Sequence, residues 1–364
     1  MDQAIAAIGV MSGTSMDGID VAVVETDGDG AVTAGPGRTY PYPAELRAGL
    51  LALLADPARA QLDPLEELER AVTDAHVDAI RRFMADFAIG SGAVRLIGLH
   101  GQTVYHRPEA RFTRQLGLGA QVAAMLGIDT VNRFRHADVA AGGEGAPLAP
   151  LFHRALARDL EAPLMVLNLG GVANVTYLDR ETVIAFDTGP ASALLDDFML
   201  RRRGVAYDRD GALAAAGRPD PRLVAAFMEA PFFDRPAPKS LDRQEFHARA
   251  QAVEPLSDAD GAATLAEFTV QSVAAALRHV PRPARRWLVT GGGRRNGHLM
   301  GRLAATLGVP VEPVEAVGWD GDFLEAQAFA YLAVRSVRGL PLSLPTTTGV
   351  PHPMPGGDLH RAAG

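Results

Sequence analysis

The chain of 364 residues contains no cysteine, which excludes disulfide frameworks, thiol nucleophiles and cysteine-ligated zinc together. Long hydrophobic runs are missing too. The first apolar stretch begins at Ala4, is interrupted at Gly9 and ends by Met11, too short to span a bilayer. Asp2 stands where a secretory leader would carry Lys or Arg. Basic charge is in deficit: 35 Lys and Arg against 43 Asp and Glu give a net charge of −8. That balance disfavours nucleic acid as a partner, since such binding rests on Lys/Arg–phosphate contacts. It leaves room for a local basic pocket. Two nucleotide signatures are also absent. No G-x-x-x-x-G-K-[ST] sequence occurs, and no G-x-G-x-x-G opens a helix after a strand. The expectation from these absences is a cytoplasmic protein with no membrane and no nucleic-acid partner.

What is present is apolar material and glycine. Residues of apolar type make up 48% of the chain, enough for large buried cores, and the length suits two lobes. The 38 glycines gather between apolar runs. Ala4–Met11 leads through Ser12-Gly13-Thr14-Ser15-Met16-Asp17-Gly18 into Ile19–Val24, a strand, a polar turn and a β-branched strand. Helical spacing is read over 44–55 and 64–87, and 95–99 reads as a buried strand ending at His100. The pattern restarts at Leu164–Leu167, passes Asn168-Leu169-Gly170-Gly171 and leaves along Val172–Tyr177. A strand over 182–186 is expected to end at Asp187. Trp287–Thr290 runs into Gly291-Gly292-Gly293 before a helix from about Asn296, and a last long helix is expected over 322–337. Strands alternating with helices argue for α/β architecture, and the restart argues for two related lobes. The proline-rich stretch 214–251 is expected to be irregular and surface-facing.

A turn that cradles phosphate needs inward-pointing backbone N–H groups and no obstructing side chain. Three glycine turns at separate strand ends fit a nucleotide site better than three unrelated connectors. Asp187, followed by Thr188-Gly189-Pro190, is a carboxylate at a strand end, a place where Asp also serves as a helix cap or Asx turn.

Met11 to Asp20 resembles the N-terminal hallmark of the anhydro-N-acetylmuramic acid kinases. The resemblance continues through His100 to Pro108, Phe134 to Leu148, Asn168 to Thr176, Phe186 to Pro190, Gly291 to Asn296 and Gly321 to Ala330. It implies the two-lobed, α/β actin-like ATPase fold shared with hexokinases and actin, with ATP and sugar between the lobes. The lobes are expected at 1–133 and 134–364, with the C-terminal tail packing back on the first. The implied reaction opens the 1,6-anhydro ring of anhydro-N-acetylmuramic acid with water and phosphorylates O6, in peptidoglycan recycling.

By this resemblance Ser12, Gly13, Thr14, Ser15, Met16, Asp17, Gly18 and Ile19 contact phosphate. Asn168, Gly170, Gly171 and Asn174 form the second phosphate loop, and Gly291, Gly292, Gly293 and Asn296 hold the adenosine. His100, Gln102, Thr103, Arg135, Asp138 and Glu325 are placed on the sugar side, Arg135 as a planar fork for the lactyl carboxylate. Asp187 is implied as the base that activates water. Mg²⁺ is expected on the ATP phosphates, its protein ligands unassigned. A homodimer would fit the family. Departures from the family pattern stand at Arg133, Glu144, Ala191-Ser192 and Leu241-Asp242, and they touch substrate identity more than phosphoryl transfer. The alternatives are a kinase for another anhydrosugar such as levoglucosan, or a non-metabolic ATPase of the actin or heat-shock type.

Overall fold

The computed structural model describes residues 3–13, 16, 18–90, 92–241 and 245–362. Packing divides the chain into two units, residues 1–158 with 323–364, and residues 159–322. The expected boundary at 133/134 is therefore displaced. Residues 134–158 pack with the first unit, and the C-terminal return brings a whole helix with it.

The first unit is built on β1 (Ile5–Ser12), β2 (Ile19–Thr26), β3 (Val32–Tyr40), β4 (Leu96–Arg107), β5 (Phe112–Leu116) and β6 (Asp129–Asn132). β1, β2 and β3 form an antiparallel meander. β4 adds parallel to β1 and β6 parallel to β4. The second unit carries β7 (Leu164–Leu169), β8 (Val172–Asp179), β9 (Thr182–Pro190), β10 (Arg286–Thr290) and β11 (Val311–Pro313). Here β7, β8 and β9 form the meander, β10 lies parallel to β7 and β11 parallel to β10. The two sheets thus share one order and one set of strand directions, the repeat that the glycine turns announced. A final strand, β12 (Asp358–His360), pairs antiparallel with β6.

Each sheet acquires its core from local patterning. In the first unit the Glu66–Asp86 helix presents Val72, Val77, Ile80 and Phe83, which pack with Ile8, Val10, Ile19 and Val21. On the same sheet lies the Leu324–Val337 helix, and its backbone approaches closely enough to exclude side chains. A Cβ on Gly9 would meet Ala326 O at 1.8 Å, and one on Gly98 would meet Phe329 O at 2.1 Å. Gly9 and Gly98 are register partners, so two neighbouring strands are bare under the same helix.

The second unit corrects the reading of 214–251. That stretch folds into short helices at Pro221–Met228 and His247–Ala250 and a 3₁₀ turn at Pro231–Asp234. Its Phe227, Phe232, Phe233 and Phe246 are buried together with Phe268 of the Asp258–Ala275 helix. Ring centroids in this cluster lie 5.1–6.2 Å apart, the range of edge-on and tilted aromatic packing. The prolines set the bends between these pieces, and the aromatics between the prolines supply core.

Candidate functional site

β1 ends at Ser12, the last residue before the first glycine turn. Ser12 is buried, and its hydroxyl donates to Gln102 Oε1 at 2.6 Å. Tyr42, buried between Pro41 and Pro43, donates to the Ser12 hydroxyl at 3.0 Å. The Gln102 amide reaches Gly13 O at 3.3 Å and Thr103 O at 3.2 Å. Gln102 is therefore engaged behind the turn, where it braces Ser12 and Gly13. Met16 takes φ +54° and is buried, with its carbonyl accepting from Arg47 Nε at 3.0 Å. Ile19 opens β2 against Tyr40, and Gly18 passes against Thr39 and Tyr40. Thr14, Ser15 and Asp17 lie outside the described residues.

His100, Gln102 and Thr103 do not close a strand as expected. β4 continues to Arg107 because its second half pairs with β5, Gln102 against Leu116 through Arg107 against Phe112. His100 is buried, its ring 4.5 Å from that of Phe329. Arg135 Nε donates to His100 Nε2 at 3.1 Å, and Arg135 Nη1 donates to Gly145 O at 2.7 Å. An imidazole that accepts at Nε2 carries its proton on Nδ1, which lies 2.8 Å from Gly101 O. Burial, and then the Arg135 charge, push His100 well below the usual imidazole range. His106 is lowered to about 4 for the same two reasons. The guanidinium thus stands among neutral imidazoles. Its own affinity for the proton is lowered by burial and supported by the charges of Glu325 and Asp138.

Asp138 has a different place from the one expected. Its carboxylate accepts from Gly145 N at 2.7 Å, from Thr348 Oγ1 at 2.6 Å and from the Ser343 hydroxyl. It ties the 142–145 loop to the C-terminal segment. Glu325 stands exposed in the first turn of the Leu324–Val337 helix, where the helix dipole favours a carboxylate. Both belong to the first unit, against the expected placement in the C-terminal lobe. Of the departures, Arg133 is exposed and paired with Asp358 at 2.9 Å, while Glu144 lends its carbonyl to His106 Nε2 at 3.0 Å.

In the second unit, Gly170 and Gly171 join β7 to β8. The carbonyls of this turn are taken up by the start of the Ser192–Arg203 helix. Ser192 N and Ser192 Oγ each donate to Gly170 O at 3.0 Å, and Ala191 N donates to Gly171 O at 3.1 Å. The Ala191-Ser192 departure is thereby accounted for, because the serine hydroxyl fastens the turn to the helix. Asn168 lies opposite Asn174 on β8 and beside Thr290 on β10. Gly291, at φ +78°, follows Thr290, and a Cβ there would meet Asn168 Oδ1 at 2.4 Å. The second and third glycine turns are therefore in direct contact. Gly292 faces open space, and Gly293 lies on Leu169. Asn296 accepts from Leu299 N at 3.0 Å. Its side-chain oxygen caps the Gly297–Leu307 helix.

β9 does not stop before Asp187 but runs to Pro190. Asn174 faces Asp187 and Ala173 faces Gly189, so Thr188 is an extra residue and the strand bulges there. Such a bulge bends a strand and re-aims its side chains. Asp187 N donates to Lys239 O at 2.9 Å, and Asp187 Oδ2 accepts from Leu241 N at 2.8 Å. Half of the carboxylate is thus held by a backbone amide. Sequence reasoning missed Tyr42 and, although Lys239-Ser240 and Arg243 resemble part of a family segment, the backbone clamp that Lys239 and Leu241 form. A tyrosine flanked by two prolines was the available signal for the first, and nothing local announces the second. Asp242 and Arg243 lie outside the described residues.

The anhydro-N-acetylmuramic acid kinase family model matches residues 5–360. A protein of that name from Rhodospirillum rubrum is 53% identical over 364 residues, covering 100% of this chain and 96% of its own. One from Paramagnetospirillum magneticum is 53% identical over 356 residues, covering 97% and 99%. Among solved structures, component A of the (R)-2-hydroxyglutaryl-CoA dehydratase of Acidaminococcus fermentans superposes with a TM-score of 0.50 at 12% identity. That match covers 92% of this chain and 99% of the other, and at such identity it speaks of the fold alone. The two sheets of like order and direction form the two-lobed α/β actin-like ATPase fold. With motifs in sequence order from the first glycine turn to the last helix, and matches along its full length, the chain belongs to the anhydro-N-acetylmuramic acid kinase family.

Proposed function

We propose that this protein is an ATP-dependent kinase that opens the 1,6-anhydro ring of anhydro-N-acetylmuramic acid with water and transfers the γ-phosphoryl group to O6. The products are N-acetylmuramic acid 6-phosphate and ADP. One observation carries the reading: identity of 53% along the whole chain to a protein named for that activity. The levoglucosan alternative and the non-metabolic ATPase have no comparable support.

Asp187 is proposed as the general base. A carboxylate with one oxygen held by Leu241 N is fixed in direction, as a general base that must meet one water requires. It would take a proton from water as that water attacks C1. The C1–O6 bond breaks with its electrons on O6, and O6 bonds to the γ-phosphorus as ADP leaves. No separate general acid is needed for the leaving oxygen, because phosphorus captures it; in this the reaction departs from the paired carboxylates of glycosidases. The Ser12–Gly18 turn and the Asn168–Asn174 hairpin are proposed to hold phosphate through backbone N–H groups, and Gly291–Gly293 to hold the adenosine. Arg135, positioned by His100 and Gly145, is the proposed partner for the lactyl carboxylate, with the charge of Glu325 acting on it and Thr103 in the same unit.

Mg²⁺ bound to ATP would offset charge on the phosphates. Among the described residues no group of three or more His, Asp or Glu is arranged as a metal cage. Use of ATP supports a cytoplasmic location, and no described helix is long and apolar enough to cross a membrane. A coupled ADP-release assay across anhydro-N-acetylmuramic acid, N-acetylmuramic acid, levoglucosan and glucose tests the reading. Turnover should be highest with the first; equal ADP release without any sugar would overturn it.

A further inference from the structure

Lys239 is the only lysine among the 35 Lys and Arg residues of this chain. Everywhere else the protein uses arginine, and this one lysine is buried rather than solvated, at 4% exposure. Lysine is among the residue types that are almost never buried without a partner. The ammonium donates to Phe232 O at 3.0 Å and Phe233 O at 3.3 Å, and it lies 3.2 Å from His279 Nε2. It also stands 4.6 Å above the Phe232 ring. The ammonium has three N–H groups to give and faces these three atoms; His279 Nε2 itself lies 3.2 Å from Phe233 O. A planar guanidinium presents its donors in one fork and could not converge on the same three atoms. Two carbonyls and an imidazole surround the charge rather than a carboxylate.

The main chain of the same residue is half of the clamp on Asp187. Lys239 O accepts from Asp187 N, and two residues on, Leu241 N donates to Asp187 Oδ2. Residues 236–241 belong to no helix and to no strand. No ladder or helical turn therefore holds them against β9. The inward-pointing Lys239 side chain pins the segment to the Pro231–Asp234 turn and to His279, beside the packing of Ala237 and Leu241 on the core. His279 in turn sits edge-on to Phe186, at 5.4 Å between ring centroids, next to Asp187 on β9.

We infer that Lys239 is a positioning residue for the proposed base: its ammonium anchors the segment whose backbone aims and holds the Asp187 carboxylate. This rests on the reading of Asp187 as base. Burial lowers the Lys239 ammonium to about 8, with the charges of Arg235 and Arg278 acting in the same direction and Asp234 against them. The imidazole beside it is lowered by burial and by the Lys239 charge, against its hydrogen bond with Phe233 O.

Lys239→Met removes the charge at similar length, and Lys239→Arg keeps the charge but not the three-way geometry. Both should lower kcat by about 10- to 100-fold, the scale of a sub-ångström to 1 Å misplacement, with the KM for ATP unchanged. The distinguishing measurement is the same pair of changes in an Asp187→Asn background. A residue that acts through Asp187 has nothing left to position, so neither change should cost further turnover there. Full turnover of Lys239→Met, or an equal additional loss on Asp187→Asn, would overturn the inference. Asp187→Asn alone separates the two readings: near-wild-type turnover removes the base, whereas a large loss there beside an active Lys239→Met removes only the lysine's role. If Lys239→Met does not fold, Lys239→Gln takes its place. Independently, selective ¹⁵N-lysine labelling of the wild-type protein gives a single side-chain resonance. It should titrate near 8, and titration at the ordinary value near 10.4 would show an exposed, unanchored side chain.

Discussion

The Ser12 hydroxyl donates to Gln102 Oε1 across 2.6 Å although 90 positions separate the two residues. Both are buried, and β4 carries the glutamine to the end of β1 only because the strands pair in parallel with an irregularity just before Ser12. The consequence is that the first glycine turn is braced from the protein side. Gln102→Leu would leave the Ser12 hydroxyl and Gly13 carbonyl without this partner, at a cost of about 1–3 kcal/mol. The KM for ATP should rise about tenfold or more at saturating sugar. An unchanged KM would show that the brace does not shape the nucleotide site.

Asp187→Asn should preserve ATP affinity and reduce turnover by about 10²–10⁴-fold, because an amide still accepts from Leu241 N but cannot take a proton from water. Titration calorimetry with ATP and the coupled assay read the two quantities separately. A variant keeping a third of wild-type turnover would remove Asp187 from this role.

Gly291→Ala forces a Cβ to within 2.4 Å of Asn168 Oδ1 at a φ of +78°. The strain falls on the contact between the second and third glycine turns. A lower thermal midpoint is expected together with a raised KM for ATP, and the KM for sugar should move less. Equal changes in both constants would argue against a local effect on the nucleotide side.

His76, His106 and His153 are each lowered by burial to about 4. In the unfolded chain they bind protons near 6.5. Between these values the unfolded state holds more protons, so stability is fully present above about pH 6.5 and is lost as the pH falls toward 4. The urea midpoint should therefore drop between pH 7 and pH 5. His76→Leu should flatten that drop, since the His76 Nε2 atom is buried without a hydrogen-bond partner. A pH-independent midpoint in the wild type would contradict the assignment of buried, neutral histidines.

Run in ¹⁸O-water and examined before mutarotation, the proposed reaction should place label at C1 and begin as the α-anomer. Water and the departing O6 lie on opposite faces of C1, so the configuration inverts. Label on phosphate, or an initial β-anomer, would show that ring opening and phosphoryl transfer are not coupled in this way.

Local sequence was enough for the repeat and the turns. Strand, glycine turn and strand recur because alternating β-branched residues and unobstructed backbone are local requirements. The Glu66–Asp86 helix was legible for the same reason, through its apolar spacing. The resemblance carried the family, the fold and the candidate base. Tertiary structure decided everything that depends on which distant backbone lies alongside. Asp138, legible only as a charged residue, is consumed by Gly145, Ser343 and Thr348. Glu325 joins the first unit because its helix packs on Gly9 and Gly98. The 214–251 stretch looked like surface because proline marks bends, yet a bend says nothing about which way the aromatics between the prolines point. Asp187 reads as a carboxylate after a strand, but its direction comes from a strand bulge and from Leu241, 54 positions away. Hydrogen bonds between segments far apart in the chain leave no local periodicity, and only the closed fold brings their donors and acceptors together.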